Sequence, residues 1–145
     1  MIGLRMSPLK VIKSKVESHK VENMAKFKSF EEITSWQKSR VFTKQIYEIT
    51  ENSRCKKDID FVRQIRRASL SITSNIAEGF ERNTNKEFVY FLYIAKASAG
   101  EVRSQLYLAF DLEYITKNEF DSLSESISEI SKLLSGFIKY LSPKS

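Results

Sequence analysis

Between Asn85 and Glu113 apolar residues recur in an unbroken alternation of four- and three-residue steps, Phe88, Leu92, Ala95, Ala99, Val102, Leu106 and Ala109. That rhythm is the seam of a helix packed in coiled-coil fashion, and at 3.6 residues per turn it runs for about eight turns. A helix so long with one apolar stripe has to bury it against partners of similar length. The chain supplies them. Phe120, Leu123, Ile127, Ile130, Leu134, Phe137 and Leu141 carry the rhythm to Pro143, and upstream Phe61, Ile65, Ala68, Ile72, Ile76 and Phe80 recur at three- and four-residue steps along one face. A first helix is read from Glu31, through Ile33, Trp36, Phe42, Ile46 and Ile49 to a fade at Asn52 and Ser53. With only four Gly and two Pro in 145 residues, a turn-rich β fold is disfavoured. The expected fold is all-α, an antiparallel up-down-up-down four-helix bundle over residues 29–142, preceded by a flexible, mobile basic arm over residues 1–28.

Local signals place the ends. Asp58 or Asp60 can cap the second helix, which should stop near Arg82–Asn83 after a polar loop Asn52–Lys57. Thr84 with Glu87, and Thr116 with Glu119, have the spacing of capping boxes, in which hydroxyl and carboxylate exchange backbone hydrogen bonds. The short link before Thr116 makes the last two helices antiparallel.

The net charge of +6 is unevenly spread: residues 1–29 hold seven Lys/Arg against Glu17 and Glu22, leaving the body nearly neutral. Translation from Met24 would remove most of the excess. The lone Cys55 makes no intrachain disulfide and no apolar run approaches a membrane span, so a cytoplasmic protein without a membrane contact is expected.

Catalysis is disfavoured by count. His19, the only histidine, lies in the arm, which removes Ser-His-Asp, Cys-His and multi-histidine metal sites. Cys55 beside Lys56 and Lys57 has neighbours that lower a thiol pKa, though a single loop cysteine is more often inert. Glu78 and Glu101 lack the Glu-x-x-His context of a bundle di-iron site. A non-enzyme with no cofactor and no metal is the expectation.

The second predicted helix carries a polar stripe, Gln64, Arg67, Ser71, Asn75, Glu78 and Arg82, beside its apolar one. Its arginines Arg63, Arg66 and Arg67 form a basic patch suited to phosphate. Asp60, Glu78 or an acidic patch on another subunit are rival partners for them. Gly79, Gly100 and Gly136 fall within or at the end of helices, where close approach of a neighbouring helix would account for them. Tyr90, Tyr93 and Tyr107 cannot share a face with Phe88 and Leu92, so a second face of that helix is expected to be covered, most simply by self-association.

The run Gln64-Ile-Arg-Arg-Ala-Ser-Leu-Ser-Ile-Thr-Ser-Asn-Ile-Ala-Glu-Gly-Phe80, with Trp36-Gln37 before it and Ile94-Ala-Lys-Ala-Ser-Ala-Gly-Glu101 after it, resembles the four-helix-bundle family encoded in 23S rRNA intervening sequences. The match covers about residues 28–141. That family is also similar to the accessory variability proteins of diversity-generating retroelements. The resemblance implies a homo-oligomer, a homopentameric ring, with structured RNA as a ligand. Its motif positions here are Gln64, Arg66, Arg67, Ser71, Asn75, Glu78, Gly79, Ser98 and Glu101, the uncharged ones structural. On this reading Arg63, Arg66, Arg67 and Arg82 contact RNA such as a ribosomal RNA insertion. The alternative is a protein-binding adaptor for a nucleic-acid enzyme, a reverse-transcriptase-like partner, without direct RNA contact.

Overall fold

A computed structural model describes residues 27–142. Most of the expected arm, with His19 and Met24, lies outside these residues. Phe27 and Lys28, read as part of the arm, belong to the fold: Phe27 packs on the core and the Lys28 backbone N–H donates to Glu32 Oε1 at 3.1 Å.

The described residues contain no strand. A 3-10 turn over Phe30–Glu32 leads to α1 (Thr34–Thr50), a short α2 (Ser53–Lys56), and three long helices, α3 (Ile59–Phe80), α4 (Asn85–Asp111) and α5 (Lys117–Leu141). The first helix thus begins later than Glu31. Ile33 is extended and buried, with φ −79° and ψ 123°, and this break lets Phe30 stack edge-on against Trp36 at 5.1 Å. The expected loop Asn52–Lys57 is instead mostly α2, whose cap is Asn52 accepting from the Arg54 N–H.

Of the two capping candidates for α3, Asp58 takes the position, accepting the Phe61 N–H at 3.1 Å. The box at α5 is complete: Thr116 Oγ1 accepts from the Glu119 N–H and Glu119 Oε1 accepts from the Thr116 N–H. The box at α4 is only half made. Thr84 accepts from the Glu87 N–H, but the Glu87 carboxylate takes the N–H of Asn83 instead of that of Thr84. Helix α4 ends at Asp111, two residues before the expected Glu113, which holds φ 61° as the chain reverses. That left-handed position is usually glycine's.

Side-chain contacts set the helix directions. Ser71 meets Ser98 and Asp58 meets Tyr114, so α3 and α4 run antiparallel. Phe88 meets Phe137 and Phe110 meets Phe120, so α4 and α5 do likewise. Helix α1 packs on α3 and α5. The inner stripe of α4 is sealed: Leu92, Ala95, Ala99 and Val102 are 0% exposed, and they face Ile72, Ile76, Ile127 and Leu134, equally buried. Each fully buried Leu, Ile or Val side chain contributes about 1.5–3 kcal/mol.

Candidate functional site

The polar residues of α3 separate into three places. On the α4 side, Asn75 Nδ2 donates to the Ser71 carbonyl at 2.8 Å and to Ser71 Oγ at 2.9 Å, while Ser98 Oγ donates to Ser71 Oγ at 2.8 Å. Buried Ser98 and half-buried Ser71 and Asn75 satisfy one another and pin the register of the two helices, because a slip by one turn would leave them unpaired. Gly79 acts one turn beyond. A Cβ there would lie 2.8 Å from Phe91 Cβ and 2.8 Å from Phe88 Cδ1, so the absence of a side chain is what lets α4 come this close. The same explanation fails for Gly100, which is exposed with nothing within 4 Å of its would-be Cβ.

Glu78 and Glu101 do not meet. Glu78 accepts from Arg82 Nη2 at 2.9 Å and Glu101 from Gln105 Nε2 at 3.3 Å, both at the surface. Gln64 is exposed on the same side. Among the described residues no cluster of three or more His, Cys, Asp or Glu is placed to hold a metal ion. No helix of the described residues is long and apolar enough to cross a membrane.

On the opposite, α1-facing side, Arg66 is the hub of an internal network. Its Nε donates to Thr50 Oγ1 at 2.8 Å, its Nη2 to the Tyr47 carbonyl at 3.3 Å and to Glu51 Oε2 at 2.8 Å, and its guanidinium lies 4.4 Å from the centre of the Tyr47 ring. The Arg66 hydrogen bond, helped by the charge of Lys56, holds the Glu51 carboxyl below the usual range. Arg66 is therefore committed to joining α1 to α3, and its acid partner is Glu51 instead of Asp60 or Glu78. Arg82 is likewise engaged, by Glu78 and by Phe91, whose ring centre is 4.7 Å away. Arg63 and Arg67, one turn apart and exposed, make no such contact among the described residues.

Cys55 departs from its expected place in a polar loop, while its protected thiol agrees with the inert reading. It is 1% exposed beneath α2, and burial pushes its thiol pKa up against the opposing pull of Arg66 and Arg54. The short helix turns the side chain inward and leaves Lys56 and Lys57 in solvent, so the thiol is protected instead of activated. At the same end Tyr114 Oη donates to Asp58 Oδ2 at 2.7 Å. This bond, with the Phe61 N–H, lowers the Asp58 pKa and raises that of Tyr114.

The third place is the outer surface. A groove of about 500 Å³ between α1 and α3 is lined by Tyr47, Glu51, Ile59, Val62, Arg63 and Leu70 among others. Ile59 is 60% and Leu70 44% exposed, large values for aliphatic side chains. Sequence reasoning missed both, although Ile59, Arg63, Arg66 and Leu70 follow the helical spacing. Facing away from the core on α4 is a second unbroken stripe, Tyr90, Tyr93, Ala97, Gly100, Ser104, Tyr107 and Asp111, all exposed, with Leu108 and Leu112 beside it. The tyrosines of the stripe stand where the sequence put them, off the core seam.

Comparison with known proteins places this arrangement. The chain is similar to a protein of unknown function from the S23 ribosomal protein family of Bacteroides thetaiotaomicron VPI-5482, solved at 1.70 Å. The identity is 32%, the match covers 73% of this chain and 99% of that one, and the TM-score is 0.68. No curated protein matches. The family described as 23S rRNA-intervening sequence protein matches residues 31–136, which spans α1 to most of α5 and includes both the Ser71–Asn75–Ser98 seam and the Arg66 hub. The chain belongs to the 23S rRNA-intervening sequence protein family.

Proposed function

We propose that this protein is a non-catalytic, self-assembling helical scaffold, pentameric as the family resemblance implies. The observation that carries the reading is the outer stripe of α4. Seven positions in a strict three-four alternation, with tyrosines at Tyr90, Tyr93 and Tyr107 and small residues at Ala97, Gly100 and Ser104, are the pattern of a helix that receives another helix, yet all seven face solvent in the single chain. Exposed aromatic residues in such density mark interaction surfaces. Size-exclusion chromatography with light scattering on the full chain tests it: a five-subunit mass is expected, and a monomer at about 100 μM, well above ordinary assembly constants, refutes assembly.

RNA contact is the second reading, and the exposed pair Arg63 and Arg67 favours it. With Arg66 and Arg82 held by Glu51 and Glu78, this cationic surface is narrower than the sequence alone indicates. Binding of a structured RNA should fall steeply with salt and weaken on Arg67→Ala. Affinity indifferent to both would leave the adaptor reading, in which a nucleic-acid enzyme is captured through protein contacts and survives nuclease treatment.

A further inference from the structure

Among the described residues, two exposed surfaces with apolar side chains are unlike each other. The groove on the α1/α3 flank is cationic, with Arg63 and Lys56 beside Ile59 and Leu70. The outward face of α4 is aromatic and ends in acid, Tyr107 followed by Asp111 and Glu113. Unlike surfaces join heterologously, head to tail, rather than across a two-fold axis.

Their heights along the bundle agree. The Asp58–Tyr114 and Ser71–Ser98 hydrogen bonds and the Gly79–Phe91 approach calibrate α3 against α4 at three levels. By that calibration Leu70 is level with Ala99–Gly100, Arg63 with Leu106–Tyr107, Ile59 with Phe110–Asp111, and Thr73–Ala77 with Tyr93–Ala97. Rotation about an axis parallel to the bundle preserves height. It therefore brings the large Leu70 of one copy opposite the bare Gly100 of the next, and the small Thr73, Ser74 and Ala77 opposite Tyr93. It also puts Arg63 against the Tyr107 ring and within a turn of Asp111. At these levels large meets small and cation meets anion or ring, while Arg103 comes level with Arg67 and has to turn aside into solvent. A contact without rise along the axis closes into a ring instead of growing as a filament.

We propose that the outward face of α4 seats in the α1/α3 groove of a second copy of this chain, in a head-to-tail contact that sets Gly100 against Leu70 and Asp111 against Arg63. The proposal rests on the self-assembly reading and names its surfaces. It accounts for Gly100, which no contact within the chain requires. It also withdraws Arg63 from nucleic acid, and Arg67, which lines the same groove, with it.

Leu70→Cys and Ser104→Cys chains, co-expressed with different tags and treated with a short bismaleimide, test it; Cys55 is buried and stays in place. The mixed pair should form covalent dimers, while either variant alone and the wild type should not. Cross-linking of Ser104→Cys with itself would show an α4–α4 two-fold contact and overturn the proposal. An assembly of unchanged mass without mixed cross-links overturns the proposal and leaves self-assembly standing, whereas a monomeric wild type by light scattering overturns both. A charge exchange gives an independent reading. Asp111→Lys should weaken assembly by about tenfold or more, and adding Arg63→Glu should restore it to within about threefold. A double variant no better than the single one, with helical content intact by circular dichroism, overturns the assigned pair.

Discussion

The inner and outer faces of α4 carry the same three-four rhythm and end in opposite environments. Leu92, Ala95, Ala99, Val102 and Leu106 are at most 1% exposed, whereas Tyr90, Tyr93 and Tyr107 are 55–63% exposed. Periodicity therefore marks a face without telling whether the chain itself covers it. The inner face has aliphatic residues of graded size, and α3 and α5 reach it within one chain. The outer face has tyrosines, which tolerate water at the hydroxyl end, and small residues between them, so it can face solvent in the single chain.

The comparison can be broken by substitutions on either face. The largest effect is expected inside: Leu92→Ala should destabilise by about 2–5 kcal/mol, because the cavity it leaves is walled by α3 and α5; denaturant unfolding of the variant against wild type measures it. Gly79→Ala comes next. Its Cβ must push Phe91 Cβ, a rigid atom, from 2.8 Å, so a loss of about 1–3 kcal/mol is expected despite the better helix propensity of Ala, and a lower melting temperature reports it. Gly100→Ala should do the opposite to the single chain, stabilising it by up to about 1 kcal/mol because nothing lies within 4 Å. Under dilute conditions its melting temperature should rise, while the assembled fraction by light scattering falls. One methyl group at each glycine would then distinguish a close helix approach within the chain from an open face.

The smallest effect concerns the Asp58–Tyr114 bond at the base of α3. The folded-state pKa of Asp58 lies below its unfolded value, so the unfolded chain binds the proton more readily and the stabilisation is full above the unfolded pKa. It is lost as pH falls below about 4, the ordinary carboxylate range, and through the folded value. Tyr114→Phe should flatten the acid limb of the stability–pH curve without changing it near neutrality in shape; a limb identical to wild type would remove the bond from the account of acid unfolding.

Much of this arrangement was legible in the residues, and the exceptions share a cause. The four apolar seams, the cap at Asp58 and the box at Thr116–Glu119 depend on neighbours within four positions, which sequence spacing reports directly. Glu87 has the right spacing and still bonds Asn83, because the turn after Phe80 brings that N–H within reach of the carboxylate. Cys55 and Arg66 were misjudged in environment for a similar reason. The polar sequence around Cys55 hid an inward-turned short helix, and the partners of Arg66 lie fifteen to nineteen residues away on α1. No local pattern encodes such separations. The arginines that remain exposed could be distinguished from the engaged ones only once α1 was docked.

By itself the sequence determined that the chain is helical, where its long helices run, which stripe of each faces inward and which family it joins, since these follow from periodicity and capping chemistry along one continuous segment. Only the tertiary structure decided which polar residues are spent inside the molecule and which are left at its surface. Hydrogen bonds, ion pairs and close helix approaches are settled by distances between elements remote in the chain, and those distances exist only after the helices have packed.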